Sequence, residues 1–336
     1  MVNIKDVARI TGYSVGTVSK ALNGYTDISE ETKRKIKKVA EEVGYKPSSF
    51  GQQLVTKKSF TVGIVFEETT GLGLAHPYFG ELLTVFKEEL ENNGYDMLLL
   101  SKKVNPYVNS YLDHCLQKGV DGVITLSADL DHENYNKLVE SDLPIVLIDL
   151  IHSDKNSVST DNYLSTRKIV KYLIENNHTK IAYTKGEVFN HVGLERFNGF
   201  LDEMKANNIE VNPKYIFNSP YYTTEEGYRI SGEISMLEEK PTAVVCCADA
   251  VAIGLIDGFS NLNIKVPDEI SVVGFDDIML SRLITPKLTT IAQNKAEIGR
   301  VAVKILIDNI NNKEKKPEKF QIEGSLVIRN SVKRLD

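Results

Sequence analysis

Cysteine is scarce in this chain and long apolar runs are missing. Its three cysteines, Cys115, Cys246 and Cys247, are too few and too badly spaced for a disulfide framework or a paired CxxC zinc site. The adjacent pair cannot easily bridge itself. Such scarcity favours a reducing compartment. No run reaches the roughly 18 apolar residues a membrane helix needs, and MVNIKDVARI has no basic stretch followed by a long apolar one. A soluble cytoplasmic protein is expected. Catalytic signatures are also missing. No GxxxxGK[ST], GxSxG, HExxH or GxGxxG follows a strand-like run, and GLG at 71–73 is a lone turn signal. The six histidines, at positions 76, 114, 132, 152, 178 and 191, include no i, i+4 pair for a metal. These absences predict no enzyme, no metal site and no cofactor. Cys246 and Cys247 lie in an apolar run and read as core, with a redox pair as the lesser reading.

What is present begins with length: 336 residues with 42% hydrophobic content fit two or three domains with real cores. The formal net charge of −6 hides an asymmetry. Residues 1–60 carry eleven Lys and Arg against six Asp and Glu, leaving 29 against 40 for the remainder. A small basic head precedes a large acidic body. Clustered cations are what a polyanion-binding module needs, because neutralising phosphates releases counterions.

Within the head, Asn3 can cap a short helix carrying Ile4, Val7, Ala8 and Ile10, which Gly12 ends; Ser14 then caps a second. On that second helix Val18, Ala21 and Leu22 share one face, so Gly16 and Lys20 point the opposite way, with Thr17 and Ser19 on the flanks. A face of small, polar and basic residues can enter a major groove, where hydroxyls hold phosphates and Lys20 reaches a guanine edge. Val15 has two readings: beside the core stripe, or against a thymine methyl. A third helix from Ser29 buries Ile36, Val39, Ala40 and Val43 and stops at Gly44. Its lysines read as solvated surface, or as backbone contacts.

These residues carry a resemblance. IKDVARITGYSVGTVSKALNG followed by ISEETKRKIKKVAEEVGYKPS resembles the helix-turn-helix head of the LacI/GalR family of bacterial transcription regulators. The resemblance implies that Val15, Gly16 and Lys20 read bases while Thr17 and Ser19 anchor phosphates; members usually carry Arg where Lys20 stands. SSFGQQLVTKKS is similar to the family's hinge, a short helix formed on cognate DNA that pushes a leucine into the minor groove. Leu54 is the wedge so implied, and Gly51 and Gln52 replace the Ala and Arg more often found. A plain flexible linker is the other reading.

Past residue 60, short apolar runs alternate with amphipathic segments: FTVGIVF, YDMLLL, DGVITL, PIVLID, then KIAYTK, KYIFN, AVVCC and ISVVGFDD. That alternation predicts parallel sheets with crossover helices, arranged as two α/β lobes. LTTIAQ is expected to cross back to the first lobe and SLVIRNSV to finish in the second. The fold class is therefore α/β, an all-α helix-turn-helix head plus a two-lobed core with parallel sheets, and the resemblance implies that this core is periplasmic-binding-protein-like. The expected domains are 1–46 (head), 47–59 (hinge) and 60–336 (effector-binding and dimerisation core). Lobe 1 covers about 60–160 plus 292–321, and lobe 2 about 161–291 plus 322–336.

HPYFGELL, DGVI, PIVLID, TDN, ERFNGF, PTAVVCCADAVAIG, VPDEISVVGFDD and TPKLTTIAQ extend the resemblance over nearly the whole chain. It implies that Asp149, Arg196, Asp276 and Gln293 line an effector cleft, with Tyr78 and Phe79 near its mouth. Carboxylates accept from vicinal hydroxyls and Arg donates to sugar oxygens, so a carbohydrate is the expected effector. Ala248 departs from the Asn that many sugar-responsive relatives place before the Asp corresponding to Asp249. Each residue also has a plainer role: Asp276 as a helix cap (Asp277 being the better one), Arg196 as a tie to the following helix, Tyr78 and Phe79 as core.

The function expected is a homodimeric repressor that binds a pseudo-palindromic duplex under control of a small molecule. The alternatives are a sugar-binding receptor without DNA regulation, an enzyme on the same core, and a regulator gated by a nucleobase or a phosphoprotein corepressor.

Overall fold

The computed structural model describes residues 2–46, 57–67, 72–126, 133–186, 191–312 and 316–336. Gly51, Gln52, the expected wedge Leu54 and most of the 47–59 hinge lie outside the described residues. The chain forms two compact units, residues 1–61 with 118–121 and residues 62–117 with 122–336.

The first unit contains α1 (Ile4–Thr11), α2 (Val15–Leu22) and α3 (Glu30–Glu42). Asn3 Oδ1 accepts from the backbone of Lys5 and Asp6, and Asp6 Oδ2 accepts from Asn3 N, a reciprocal capping box that satisfies orphan donors. Gly12, at φ 75°, ends α1 in the left-handed region where a side chain would be strained. Ser14 and Ser29 cap α2 and α3 through their hydroxyls. Val7, Ala8, Val18, Ala21, Ile36 and Ala40 form the buried core. Ile10, the last apolar residue of α1, is 53% exposed. One turn beyond Val7 and Ala8 the inward position falls to Thr11, whose hydroxyl donates to Val7 O at 2.7 Å.

The second unit contains two six-stranded sheets. In the first, β1 (Thr61–Phe66), β2 (Asp96–Leu99), β3 (Gly122–Leu126), β4 (Ile145–Ile148), β5 (Asn156–Thr160) and β11 (Lys319–Ile322) run in the order β11-β5-β4-β3-β1-β2. In the second, β6 (Ile181–Lys185), β7 (Ile216–Asn218), β8 (Ala243–Val245), β9 (Ser271–Asp276), β10 (Thr289–Ala292) and β12 (Ser325–Val327) run β12-β10-β9-β8-β6-β7. Neighbouring strands pair in parallel, as in β1 with β3 and β8 with β9, whereas β12 runs antiparallel to β10. Crossover helices α4 (Pro77–Asn92), α5 (Tyr111–Lys118) and α6 (Glu133–Val139) belong to the first lobe, and α7 (Asn162–Glu175), α8 (His191–Ala206), α9 (Thr224–Ser235) and α10 (Asp249–Asn261) to the second.

LTTIAQ does not itself join the first lobe. Thr289, Thr290 and Ile291 are fully buried and pair with β9, so this strand lies inside the second sheet, between β9 and β12. The crossing comes only at the last residue of LTTIAQ, Gln293, and at Asn294. From there α11 (Lys295–Asn311) packs Ile298, Ala302, Val303 and Leu306 into the core of the first lobe. The chain returns between β11 and β12 at Gly324, where a Cβ would stand 2.6 Å from Ser165 Oγ and 2.7 Å from Ile291 Cγ2. A side chain does not fit that crossing.

Candidate effector cleft and DNA-reading face

Strand ends of both sheets meet where the lobes join. Asp149 follows β4, Thr160 ends β5, Asp276 ends β9 and Gln293 follows β10, the positions at which open α/β sheets present polar groups. Asp149 (φ 58°) and Asp276 (φ 118°) both have backbone conformations that L side chains rarely adopt. Each costs on the order of 1–3 kcal/mol, and such strain clusters at binding sites.

The side chains form one chain of contacts. Thr160 Oγ1 donates to Gln293 Oε1 (2.5 Å), and Gln293 Nε2 donates to Asp276 Oδ1 (2.6 Å). Arg196 Nη2 lies 3.9 Å from the same Asp276 oxygen. Its Nε donates to Asn162 Oδ1 (2.8 Å), its Nη1 to Cys247 O (2.6 Å), and its guanidinium sits 3.6 Å from the centroid of the Phe275 ring. Lys295 Nζ donates to Asp276 O (3.0 Å) and pairs with Glu81 (2.9 Å). Tyr78 OH donates to Asp149 Oδ2 (3.2 Å), whereas Asp149 Oδ1 is buried with no hydrogen-bond partner among the described residues. Phe79 packs against Phe66, His76 and Tyr78.

Burial sets the electrostatics. Arg196, Gln293 and Tyr78 are each 5% exposed. Loss of water pushes the Asp149 carboxyl up to about 6, against the opposing pull of Arg196 and the Tyr78 hydrogen bond. Asp276 is raised for the same reason, with Arg196, Gln293 and Lys295 resisting. Tyr78 is held well above its ordinary range by burial and by Asp149. The junction thus holds carboxylates that accept a ligand proton or a hydrogen bond at small cost, beside fixed cations.

Asp276 caps no helix; its carboxylate belongs to this network. Asp277, expected as the better cap, instead accepts from Arg282 (2.8 Å) and Arg329 (2.5 Å), because the short turn that follows has its cap position at Ile278. Arg196 does not tie down the following helix: its planar fork binds Asn162, at the start of the preceding one, and Cys247 O, while facing Asp276. Tyr78 likewise packs in the core and offers its hydroxyl to Asp149. Cys246 and Cys247 are buried free thiols. Thr160, Asn162 and Lys295 were not singled out from sequence; the TDN landmark was the available signal for the first two. Asp249 was noted only beside Ala248. It is fully buried and accepts from Ile278 N (3.0 Å), Ser281 Oγ (2.5 Å) and Thr290 Oγ1 (2.5 Å).

In the head, Val15 is 42% exposed and outside the core cluster, and Gly16 and Lys20 are exposed on the same helix. The Thr17 hydroxyl lies 2.9 Å from Ser14 Oγ, and Ser19 is half-buried beside Asn23.

A three-helix helix-turn-helix head in one chain with a two-lobed, periplasmic-binding-protein-like body defines the class of DNA-binding transcription regulators. The sequence profile of bacterial regulatory proteins, lacI family, matches residues 3–48, and that of the periplasmic binding protein-like domain matches residues 170–332. The "HTH-type transcriptional repressor PurR" of Histophilus somni (strain 2336) is 34% identical over 339 residues, covering 100% of both chains. The PurR of Mannheimia succiniciproducens is 31% identical over 339 residues, again covering 100% of both. Among solved structures, the lac repressor dimer bound to operator and the anti-inducer ONPF superposes with a TM-score of 0.83 at 23% identity, covering 99% of each chain. The CelR–cellobiose complex gives 0.72 at 24% identity, covering 98% of this chain and 100% of that one. The chain belongs to the LacI family of bacterial regulatory proteins. Among the described residues no helix is long and apolar enough to cross a membrane.

Proposed function

We propose that this protein is a transcriptional repressor that acts as a homodimer on a pseudo-palindromic duplex and is controlled by a small molecule bound between its lobes. The observation that carries the reading is an exposed basic face on α2 together with a buried cluster of opposite charges where the lobes join, in one chain whose full-length relatives are repressors. Val15, Gly16 and Lys20 would face base edges, with Thr17, Ser19 and Leu54 completing the contact. Tyr78, Phe79, Asp149, Arg196, Asp276 and Gln293 would meet the effector. We place the nucleobase class ahead of the sugar expected from sequence, because relatives sharing the whole chain carry the PurR name. The unsatisfied Asp149 Oδ1 calls for a ligand N–H or O–H, and the Tyr78 and Phe79 pair offers aromatic surface beside it.

The dimer has its own support. Met279, Leu280 and Leu283 stand exposed on one turn, and the segment continues into an open groove of about 660 Å³ where Ile253, Ile256 and Ile284 are interspersed with Glu225, Asp257 and Ser260. An exposed apolar turn rimmed by polar residues fits a protein interface, and a two-fold dimer doubles a short reading helix. An effector shifts operator binding only by its differential affinity for two lobe arrangements, typically about 1–3 kcal/mol.

Selection of bound duplexes from a random pool, repeated with nucleobase and sugar panels, tests the reading. A palindromic consensus whose recovery changes with one nucleobase supports it. No enrichment under any condition ends it, and a response confined to sugars reverses the effector assignment.

A further inference from the structure

The contact that Lys20 makes inside the head points to a residue no motif singled out. Lys20 Nζ lies 2.5 Å from Asp27 Oδ2, and both side chains are about half exposed, at 49% and 52%. Asp27 stands in the loop between α2 and α3, and backbone bonds fold that loop onto the end of α2. Gly24 N donates to Ala21 O (3.3 Å), Tyr25 N to Lys20 O (3.0 Å) and Ile28 N to Tyr25 O (3.5 Å). Ile28 packs on the head core, and Ser29 caps α3 immediately afterwards. The carboxylate is therefore carried on a constrained loop, whereas the ammonium sits on a flexible four-carbon stem. Exposed ion pairs contribute little to folding, so stability does not account for an acid on the basic reading unit.

We propose that Asp27 is a specificity-determining positioning residue, which holds the Lys20 ammonium over the outward face of α2 and sets its charge against base edges rather than phosphates. The inference rests on the reading of Lys20 as a base contact. A free lysine is a point charge with three donors that serves any phosphate equally well, and such contacts strengthen binding to every sequence alike. With one donor committed to Asp27, Lys20 keeps two for guanine O6 and N7. The carboxylate meanwhile repels backbone phosphates and removes one net cation from sequence-independent attraction. Asp27 thus weakens binding to random DNA more than binding to the operator.

The test uses the full-length protein, a duplex recovered by selection from a random pool, and a scrambled duplex of the same composition, titrated over a series of salt concentrations. Asp27→Asn is expected to tighten binding to the scrambled duplex, to steepen the salt dependence by about one unit of slope, and to lower the selected-to-scrambled ratio several-fold. Asp27→Glu should restore most of that ratio. In a Lys20→Gln background, Asp27→Asn should no longer change the ratio. A merely structural Asp27 would shift the thermal midpoint and move neither slope nor ratio, which would overturn the proposal. If Lys20→Gln lowers the ratio and Asp27→Asn does not, the proposal falls alone. If Lys20→Gln leaves the ratio unchanged, Lys20 is no base reader and both readings fall together.

Discussion

The head and the cleft both depend on charge, but water treats the two differently. Lys20 and Asp27 meet in solvent, where a pair forms and breaks at little cost. Arg196, Asp276 and Asp149 meet where water has been removed, so each charge depends on the others. The difference teaches that a substitution in the reading face should change recognition and leave folding alone, whereas one in the cleft should change both. The sharpest way to break the comparison is Arg196→Ala. It removes the bonds to Asn162 and Cys247 O and leaves Asp276 without its guanidinium. Breaking a buried pair from one side costs about 3–5 kcal/mol. Urea denaturation should show a loss of that order, together with loss of the effector response. A variant as stable as the parent would mean that the cleft is wetter than its burial implies.

Asp149→Asn sharpens the comparison with the opposite sign. Burial raises the carboxyl from its ordinary 3.8 to about 6, so the folded chain holds this proton more tightly than the unfolded chain does. Stability from the group is complete below about pH 4 and is lost as pH rises through 6. A shift of that size corresponds to about 2–3 kcal/mol at neutral pH. Asn carries no charge to desolvate and keeps an acceptor for Tyr78. The variant should therefore be more stable than the parent at pH 7.5, with the gap closing toward pH 4, when denaturation midpoints are followed across that range. A gap that does not change with pH would remove burial as the cause. Asp27→Asn, made in solvent, should leave the same midpoints where they were.

Legibility divides along the same line. Helix caps, the Val18 and Ala21 stripe and the alternation of strands with helices are local, and the residues that make them are a few positions apart. They were readable, as was the parallel two-lobed body. The inward position at the end of α1 is less legible, because helical spacing alone does not choose between Ile10 and Thr11. The point at which LTTIAQ crosses is not legible, because a buried strand looks the same in either sheet; pairing with β9 keeps all but its last residue in the second. In the cleft, the family resemblance supplied Asp149, Arg196, Asp276 and Gln293, and the structure brings them together. It did not supply Thr160, which meets Gln293 across 133 positions, or Lys295, which reaches back to Glu81. Contacts of that range leave no spacing in the sequence. Asp27 escapes for a related reason: it lies seven positions from Lys20, but the helix ends at Leu22 and a loop intervenes, so helical spacing does not bring the pair together.

The smallest expected effect gives the finest test of the comparison. Val15 is an apolar residue on the first turn of α2, half in water and outside the core cluster. Val15→Ala deletes methyl groups that pack on little, and alanine is favoured over valine in a helix by a few tenths of a kcal/mol. The thermal midpoint should stay level or rise slightly. If the side chain lies against a thymine methyl, operator affinity should fall by roughly two- to five-fold, less than the about 1–3 kcal/mol carried by a bidentate base contact. Replacing each thymine of the selected duplex in turn by uracil, which lacks the methyl, identifies the partner: at one position the substitution should cost the parent protein affinity and cost the variant nothing more. A lower midpoint with unchanged affinity would instead return Val15 to the core stripe, and the reading face would then begin at Gly16.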